Sequence, residues 1–215
     1  MSNSKPHKIH KKMYAVIYTL VGWFLRLIFC VKITGKENEP KEGPFIVCPN
    51  HLSNADTMVV AVSLKSQLRF LAKAELFKIP VLAQFLRAIG SFPIERGKGD
   101  IGAIRTTLDL LKKGEVIALY PQGTRYPGVD PRDTQPRQGV GMIAYRSGAP
   151  ILPICVETKN FKLRPFKRTY VRIGKLITTD ELGFEHGNSE EYRIASEIVF
   201  NRITDMLETE HTPKK

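Results

Sequence analysis

Short apolar runs alternate along this sequence with stretches of helical spacing, and this alternation constrains the fold more than any other feature. The runs have the length and composition of strands, and they cover residues 44–49, 68–72, 90–94, 116–121, 151–156 and 170–174. Helical patterns lie at 55–64, 79–89, 102–114 and 139–148, and an amphipathic segment spans 189–210. Because strands separated by helices form layered sheets, the sequence predicts an α/β fold with a largely parallel or mixed central sheet flanked by helices.

The length of the chain, 215 residues, allows one sizeable core but not a second full domain. We therefore predict a basic N-terminus with a membrane-associated helix at 1–36 and one α/β domain at 37–215. In the closing amphipathic segment, the apolar spacing predicts four inward side chains, Ile194, Ile198, Ile203 and Leu207.

Residues 13–31 are almost wholly apolar, and a polar, basic stretch of twelve residues precedes them. Arg26 near the centre would be costly in a spanning helix, so an interfacial or half-inserted helix is favoured. Basic residues on both sides favour an anionic membrane surface, which predicts anchoring at the cytoplasmic face of the cell membrane. A secretory signal and a helix packed on the domain are the alternatives.

The formal charge of +12 favours an anionic partner, such as nucleic acid, a membrane surface or a phosphorylated substrate. The chain lacks a recognised module of interleaved basic and aromatic residues, so we expect no nucleic acid. Its three cysteines, Cys30, Cys48 and Cys155, are far apart and form no Cys-x-x-Cys pair. This pattern predicts neither a disulfide framework nor a metal site, and it fits a reducing cytosolic environment.

Four polar stretches follow the first four predicted strands: NHLSNAD, KAEL, ERG and PQGTR. Ligands of open α/β sheets bind outside the carboxyl ends of the strands, so we expect these stretches to gather at one edge. A fifth stretch, GKGDIG at 97–102, has the glycine spacing of a dinucleotide site. The next strand does not end in the acidic residue that such sites use, so a turn and a helix start are favoured over a nucleotide oxidoreductase.

His51 and Asp56 are five positions apart in the stretch PNHLSNADTMVV. The pattern Ser53-x-x-Asp56 is typical of a helix cap, and on that interpretation neither residue needs a chemical role. If the helix begins near Ser53, however, Asp56 on its first turn can face back toward His51. The carboxylate could then hold one imidazole nitrogen and leave the other as a general base for a substrate hydroxyl, so that no protein nucleophile is needed.

The stretch NHLSNAD resembles the first motif of the glycerolipid acyltransferase family, of the 1-acylglycerol-3-phosphate (lysophosphatidate) type. FLAKAEL with IGSFPIERG, then YPQGTRYPG, then APILPI follow in the family's order, so the resemblance covers about residues 44 to 156. It implies that His51 removes the proton of an acceptor hydroxyl, which attacks an acyl thioester directly, and that Asp56 orients His51. It also implies no cofactor, with acyl-coenzyme A or acyl carrier protein supplying the thioester as co-substrate.

The turn at Gly123, Thr124 and Arg125 offers backbone N–H groups and a guanidinium, which suit a phosphate monoester. Lys73 and Arg96, which follow neighbouring strands, could converge on the same anion, and the resemblance assigns phosphate binding to these cations.

Asn50, Ser53 and Gln122 are predicted to support the site. Pro150 and Pro153 in the apolar stretch APILPI predict an edge or irregular strand, and the resemblance implies that they help to shape the acyl side.

Gln122 departs from the family, which usually has Glu in the Pro-Glu-Gly-Thr-Arg block. Glutamine keeps the length and the carbonyl but not the charge, which disfavours a base or metal ligand and is compatible with positioning a hydroxyl or a loop amide. Arg137 and Gln138 stand where members of the family commonly have a lysine before the glycine, so some anion contact could shift there.

These features together predict an enzyme that acylates the 2-hydroxyl of lysophosphatidate to give phosphatidate. The expected partners are the lysophospholipid and an anionic membrane surface, together with acyl carrier protein if that protein rather than coenzyme A carries the acyl group. Glycerol 3-phosphate or a lyso-aminolipid as acceptor, and a non-catalytic membrane lipid-binding relative, are the alternatives.

Overall fold

The structure is a computed structural model that describes residues 22–80, 83–84, 86, 90–94 and 101–208. Seven strands form one sheet in the order β1-β7-β6-β2-β5-β3-β4. Their bounds are Val31–Thr34 (β1), Phe45–Pro49 (β2), Leu68–Lys73 (β3), Phe92–Ile94 (β4), Val116–Ala118 (β5), Ile151–Thr158 (β6) and Thr169–Ile173 (β7). Neighbouring strands are parallel except β6 and β7, so the sheet is mixed.

Helices cover both faces of the sheet, as the alternating pattern predicts. They are 22–28 (α1), Asn54–Ser63 (α2), Ile101–Lys112 (α3), Gly139–Ser147 (α4) and Ser189–Thr204 (α5). Side chains of α1 and α2 pack in one apolar cluster, and those of α3, α4 and α5 pack in a second. Of the predicted helix at 79–89, residues 79, 80, 83, 84 and 86 are described, and all of them except residue 79 are helical.

The central strands β2 and β6 are buried along their whole length. Both therefore appear in the sequence as continuous apolar runs, because neither face of these strands meets water. They carry Cys48 and Cys155. Burial raises the pKa of both thiols, that of Cys155 to about 12, so both stay protonated and unreactive at neutral pH. Cys30 is exposed, and all three cysteines are free thiols.

For the two prolines an edge or irregular position was predicted. The edge is wrong, because β6 lies inside the sheet between β7 and β2, but the pairing of β6 is irregular beside Pro153. The carbonyl of Pro153 accepts a hydrogen bond of 2.9 Å from the N–H of Gly174, just beyond β7. The pairing of β6 with β7 begins only at Ile154. Pro153 therefore lies at the point where the pairing of β6 with β7 has ended. Its missing N–H removes no hydrogen bond between these strands.

Two further predictions also need correction. The strand at 116–121 ends at Ala118, so the chain leaves the sheet earlier than its apolar run suggests. In α5, the side chain of Ile194 is 42% exposed, and the buried residues are Ala195, Ser196, Val199, Phe200 and Ile203. Ile203 was predicted correctly, but the inward face is rotated away from Ile194.

The predicted anchor at 13–31 is described only from residue 22 onward. Helix α1 ends at residue 28, and Val31 already belongs to β1, which pairs with β7 and precedes the predicted domain start at 37. Arg26 is not isolated in an apolar helix, since its Nε donates to the carbonyl of Val62 at the end of α2 (2.9 Å). Within the described ranges, no helix has the length and apolarity needed to cross a bilayer.

Candidate active site

The loop between β2 and α2 begins with Asn50, whose side chain is fully buried. Its Nδ2 donates to the carbonyl of Val156 (2.9 Å), and its Oδ1 accepts from the N–H of the same residue (2.7 Å). The side-chain amide thus continues the pairing of β2 with β6 by one more residue. This fixes the position of the next residue, His51, at the carboxyl edge of the sheet.

His51 and Asp56 are in direct contact. The Nδ1 atom of His51 lies 3.1 Å from each carboxylate oxygen of Asp56. The carboxylate is fully buried, and its Oδ2 also accepts from the N–H groups of Leu52 and Ser53, both at 2.7 Å. Helix α2 begins just after its N-cap, Ser53, whose Oγ accepts from the N–H of Ala55 (2.9 Å). Asp56 is therefore both the capping-box acid and the partner of the histidine.

This contact determines which imidazole nitrogen is free. An ionised carboxylate only accepts hydrogen bonds, so Nδ1 of His51 carries the proton and Nε2 keeps its lone pair. The His51 side chain is 16% exposed, whereas that of Asp56 is fully buried. A substrate hydroxyl can therefore reach the imidazole, while the carboxylate stays behind it.

Tyr120, just beyond β5, contacts both members of the pair. Its ring stacks on the imidazole of His51 with centroids 3.9 Å apart and planes 25° apart. Its hydroxyl lies 3.2 Å from Oδ1 of Asp56, to which it donates, and 2.9 Å from Oγ1 of Thr57. Burial, and then the negative charge of Asp56, raise the pKa of Tyr120 well above its ordinary value. The phenol therefore remains a hydrogen-bond donor at any working pH.

Tyr120 was not among the site residues predicted from the sequence. The available signal was an aromatic residue with a hydroxyl at the end of a buried strand, directly before PQGTR.

We expect Tyr120→Phe to lower kcat about 10- to 100-fold, because a hydrogen bond to a charged group contributes about 1.5 to 3 kcal/mol. The KM for the acceptor should stay the same, since the phenol touches the His51–Asp56 pair and not the Gly123–Arg125 turn. Initial rates over a range of acceptor concentrations measure both constants. Tyr145→Phe, which removes an exposed phenol on α4, is the control. A raised KM with unchanged kcat would instead place Tyr120 in acceptor binding.

The turn at Gly123–Arg125 is tied to the same loop. The N–H of Tyr126 donates to the carbonyl of His51 (2.9 Å), and Gly123 has the left-handed φ of 65° that glycine adopts without strain. Arg125 is exposed, and its Nη1 donates to Oδ1 of Asn54, the first residue of α2 (2.7 Å). Thr124 is exposed beside it. A guanidinium and a helix N-terminus therefore lie next to the imidazole, a combination that attracts a phosphate.

Arg137 provides a second guanidinium at this turn. A Cβ atom on Gly123 would lie 2.9 Å from its Cδ, so the arginine packs directly on the glycine. The N–H of Arg137 donates to the carbonyl of Pro121 (2.8 Å). Arg137 was noted in the sequence as a departure from the family, but it was not among the predicted phosphate ligands.

An apolar cavity of about 360 Å³ adjoins the site on the face covered by α3 and α4. Tyr120, Pro121 and Gly123 form its border with the site, and its walls include Leu71, Ile104, Leu119, Met142 and Ile143. Nowhere in the described part of the chain do three His, Cys, Asp or Glu side chains lie close enough together to hold a metal ion.

Comparison with known proteins identifies the family of the chain. A family model described as Acyltransferase matches residues 30–157, which is more than half of the chain. The chain belongs to this acyltransferase family. The resemblance inferred from the four motifs is thereby confirmed.

Two curated relatives of the acyltransferase carry the name 1-acyl-sn-glycerol-3-phosphate acyltransferase. The protein from Bacillus subtilis (strain 168) is 28% identical over 197 residues, which cover 91% of this chain and 97% of that protein. The protein from Borreliella burgdorferi is 25% identical over 205 residues, which cover 86% and 79% respectively. A solved structure, the 1-acyl-sn-glycerophosphate (LPA) acyltransferase PlsC from Thermotoga maritima, superposes with a TM-score of 0.70 at 25% identity. That superposition covers 94% of this chain and 81% of the other.

Gln122 of the acyltransferase has a physical explanation in its contacts. The side chain is 1% exposed, and its Oε1 accepts from the N–H of His51 (2.6 Å). Its Nε2 donates to Oγ1 of Thr134 (2.8 Å), and that hydroxyl donates to the carbonyl of Pro131 (2.6 Å). A carboxylate could make only the first of these two contacts as they stand, because it cannot donate. Gln122 is thus a neutral link that holds the His51 loop, as expected for a positioning role.

The other predicted site residues of the acyltransferase lie outside this cluster or outside the described parts. Lys73 is the last residue of β3, but its side chain is not described, and Arg96 lies outside the described residues. Pro150 precedes β6, and its carbonyl accepts from the N–H of Ile46 near the start of β2. It is therefore at the amino edge of these strands, opposite His51. The structure does not bring Pro150 to the site, and Pro153 lies inside the sheet opposite Cys48.

Proposed function

We propose that this acyltransferase moves a fatty acyl group from an acyl thioester to the 2-hydroxyl of 1-acylglycerol 3-phosphate (lysophosphatidate) and so forms phosphatidate. The observation that carries the proposal is the His51–Asp56 contact, which leaves Nε2 of the imidazole open beside a cationic turn. A base and a phosphate-binding group side by side suit an acceptor that has a hydroxyl and a phosphate on one glycerol. The relatives from Bacillus subtilis and Borreliella burgdorferi are named for this acceptor.

The transfer proceeds in one covalent exchange without an acyl-enzyme. Nε2 of His51 takes the proton of the acceptor hydroxyl as its oxygen attacks the thioester carbonyl. The tetrahedral intermediate then collapses, the carbon–sulfur bond breaks, and the imidazolium returns its proton to the leaving thiolate. Asp56 stabilises the imidazolium between the two steps and does not itself take the proton.

The phosphate of the acceptor fits the turn at Gly123, Thr124 and Arg125. The guanidinium of Arg125 is already oriented by Asn54 at the start of α2, so little side-chain entropy is lost when the phosphate binds. Arg137 adds positive charge at Gly123, and Lys73 and Arg96 complete the set expected from the motifs. The apolar cavity beside Tyr120 and Gly123 offers space for an acyl chain next to the reacting hydroxyl.

Replacing Arg125 with alanine is expected to raise the acceptor KM about 10- to 100-fold, since a charge-assisted hydrogen bond contributes about 1.5 to 3 kcal/mol. The kcat should change less, because the His51–Asp56 contact does not involve Arg125. Arg125→Lys keeps the charge but loses the planar fork, so an intermediate KM is expected. Arg146→Ala, an exposed arginine on α4, is the control. Unchanged acceptor saturation in Arg125→Ala would remove this residue from the phosphate site.

Purified protein supplied with an acyl thioester and lysophosphatidate provides the direct test. Thiol release and phosphatidate formation should occur together in equal amounts. Glycerol 3-phosphate and a lyso-aminolipid serve as competing acceptors, and acyl-coenzyme A is compared with acyl carrier protein as the donor. Faster turnover of another acceptor would reassign the substrate. Binding of lysophosphatidate without thiol release would identify a non-catalytic lipid-binding protein, the alternative suggested by Gln122.

A lipid acceptor also places the enzyme at a membrane. We propose that it works at the cytoplasmic face of the cell membrane, held in part through those residues of the apolar stretch 13–31 that precede β1 and do not pack on the core. The high positive charge of the chain suits the anionic lipids of that face.

A further inference from the structure

Helix α1 has an apolar face that no other part of the described structure covers. Leu25 and Ile28 pack against the core cluster beneath α1. On the other side, Trp23, Phe24 and Leu27 are 69%, 55% and 59% exposed. Contiguous exposed groups of this size are unusual on a soluble surface and mark an interaction site.

The loop at 162–168 lies beside this face and carries a fourth large apolar side chain. Phe166 is 76% exposed, and its N–H donates to the carbonyl of Ile28 at the end of α1 (2.6 Å). Its φ is 58°, a left-handed conformation that a bulky side chain rarely adopts. The aromatic ring is therefore held outside the core at the tip of a loop attached to α1.

Phe166 is surrounded by positive charge. The loop contains four exposed cations, Lys162, Arg164, Lys167 and Arg168, and no acidic residue. None of the four forms a salt bridge with another described residue. This arrangement suits a bilayer surface. The cations can bind the lipid phosphates, and the aromatic ring can enter the hydrocarbon beneath them.

The loop is on the same edge of the sheet as the active site. It connects the carboxyl end of β6 to the start of β7. The carbonyl of Phe161 accepts from the N–H of Gly128 (2.9 Å), and two residues earlier the N–H of Tyr126 binds the carbonyl of His51. A short chain of backbone contacts therefore joins the loop to the catalytic histidine.

We propose that these residues form an interfacial surface that seats the active site on an anionic bilayer. The interfacial surface comprises Trp23, Phe24, Leu27 and Phe166 together with the cations Lys162, Arg164, Lys167 and Arg168. The apolar side chains enter the outermost hydrocarbon, and the cations bind lipid phosphates. The role of this surface in catalysis rests on the proposed lipid acceptor, but the binding of the protein to the bilayer does not depend on catalysis. This contact shares Trp23, Phe24 and Leu27 with the anchor expected at 13–31. It extends that anchor onto the folded domain, since it includes a loop more than a hundred residues further along the chain.

The tryptophan content of the chain supplies a direct probe. Trp23 is the only tryptophan, so tryptophan emission reports on the part of the interfacial surface that α1 contributes, and the loop variants below test the part that the loop contributes. The full-length protein is mixed with vesicles of phosphatidylglycerol and phosphatidylcholine, or of phosphatidylcholine alone, some carrying brominated acyl chains. We expect a blue shift and bromine quenching with the anionic vesicles, weakening as salt is added. Emission that stays solvent-like while the protein sediments with anionic vesicles would overturn the proposal. A blue shift without vesicles that grows with protein concentration would instead indicate a second copy on this face.

Loop variants separate this contact from the N-terminal anchor. Arg164→Gln with Lys167→Gln should weaken partitioning to anionic vesicles about 30-fold, the equivalent of about 1 kcal/mol for each cation near the surface. Lys112→Gln with Lys113→Gln removes the same charge at the far edge of the sheet and should have a much smaller effect.

Phe166→Ser should weaken binding to vesicles at high salt, whereas Ile194→Ser, an exposed residue of α5, should not. Equal binding by the loop variants and the unmodified protein would refute the proposal.

Activity measurements distinguish this proposal from the proposed reaction. The loop variants should keep normal turnover with substrates dispersed in neutral detergent and lose it with substrates in anionic vesicles. His51→Ala should bind vesicles normally although it is inactive. If no acceptor is acylated under any condition, the proposed function fails while the vesicle-binding result stands. If turnover is normal but the loop variants bind and act on vesicles unchanged, only the interfacial surface fails.

Discussion

Replacing His51 with alanine is expected to lower kcat about 10²- to 10⁴-fold, the range that a positioned general base contributes. Nε2 of the imidazole is the group placed to take the acceptor proton, and no described side chain in contact with it can replace it. Tyr120 cannot act as a base, because its pKa is raised well above the ordinary value and its hydroxyl already donates to Asp56. The acceptor KM should change little, since the Gly123–Arg125 turn keeps its own contacts. Initial rates of thiol release measure both constants.

The alanine variant should keep the fold, which makes the result interpretable. The main-chain N–H and carbonyl of His51 hold the loop by binding Gln122 and Tyr126, and the substitution leaves these groups in place. Thermal unfolding followed by circular dichroism checks this point. His186→Ala is the control, because His186 is 78% exposed and precedes α5, away from the site. A well-folded His51→Ala enzyme with near-normal turnover would show that the proton leaves by another route.

The features that could be predicted from sequence were those set by local chemistry. The central strands β2 and β6 were found because strands buried on both faces are continuously apolar. The start of α2 was found because Ser53 and Asp56 form a capping box, a pattern contained in four consecutive residues. The cap also explains why His51 and Asp56 meet across five positions, since the helix begins between them and lets the carboxylate face back.

The errors concern features that depend on distant parts of the chain. The position of Pro153 could not be predicted because a proline is tolerated in an internal strand when the neighbouring ladder ends beside it. Here that end is set by β7, about twenty residues later. Tyr120 was missed for a similar reason, because its stacking on His51 depends on β5 lying next to β2 in the sheet.

The inward face of α5 illustrates a different limit. Hydropathy alone favours Ile194 over its small neighbours Ala195 and Ser196. The structure buries the small residues because α4 approaches α5 so closely that a Cβ on Gly141 would lie 2.2 Å from the carbonyl oxygen of Tyr192. Ser196 is used at this crossing, where its Oγ accepts from the N–H of Gly141 (3.0 Å). Close helix packing selects for size and hydrogen bonding, which an apolar periodicity does not detect.

The second large effect is expected for Asp56→Asn, which keeps the shape of the side chain but changes its hydrogen-bonding character. Oδ2 of Asp56 accepts from the N–H groups of Leu52 and Ser53, so the one remaining oxygen of asparagine is retained there by the cap. The new amide nitrogen takes the position of Oδ1 and presents its N–H groups to Nδ1 of His51 and to the Tyr120 hydroxyl, while the retained oxygen, also 3.1 Å from Nδ1, is no longer charged. An amide N–H donates, so Nδ1 becomes the acceptor, and the imidazole proton moves to Nε2. The base is lost, and kcat should fall about 10²- to 10⁴-fold, as for a wrong tautomer in a catalytic triad.

A double-mutant cycle tests this explanation against a structural one. If Asp56 acts only through the tautomer and charge of His51, then His51→Ala with Asp56→Asn should be no slower than His51→Ala alone. The same asparagine should lower the free energy of unfolding by about 1 to 3 kcal/mol, whether or not His51 is present, because the buried cap loses charge-assisted hydrogen bonds. Asp109→Asn removes an exposed carboxylate from α3 and controls for charge. Losses of kcat that multiply in the double variant would show that Asp56 contributes to turnover independently of the imidazole. If the double variant is no slower than His51→Ala, the catalytic part of the effect follows His51 and the stability part follows the helix cap, although both arise from one carboxylate.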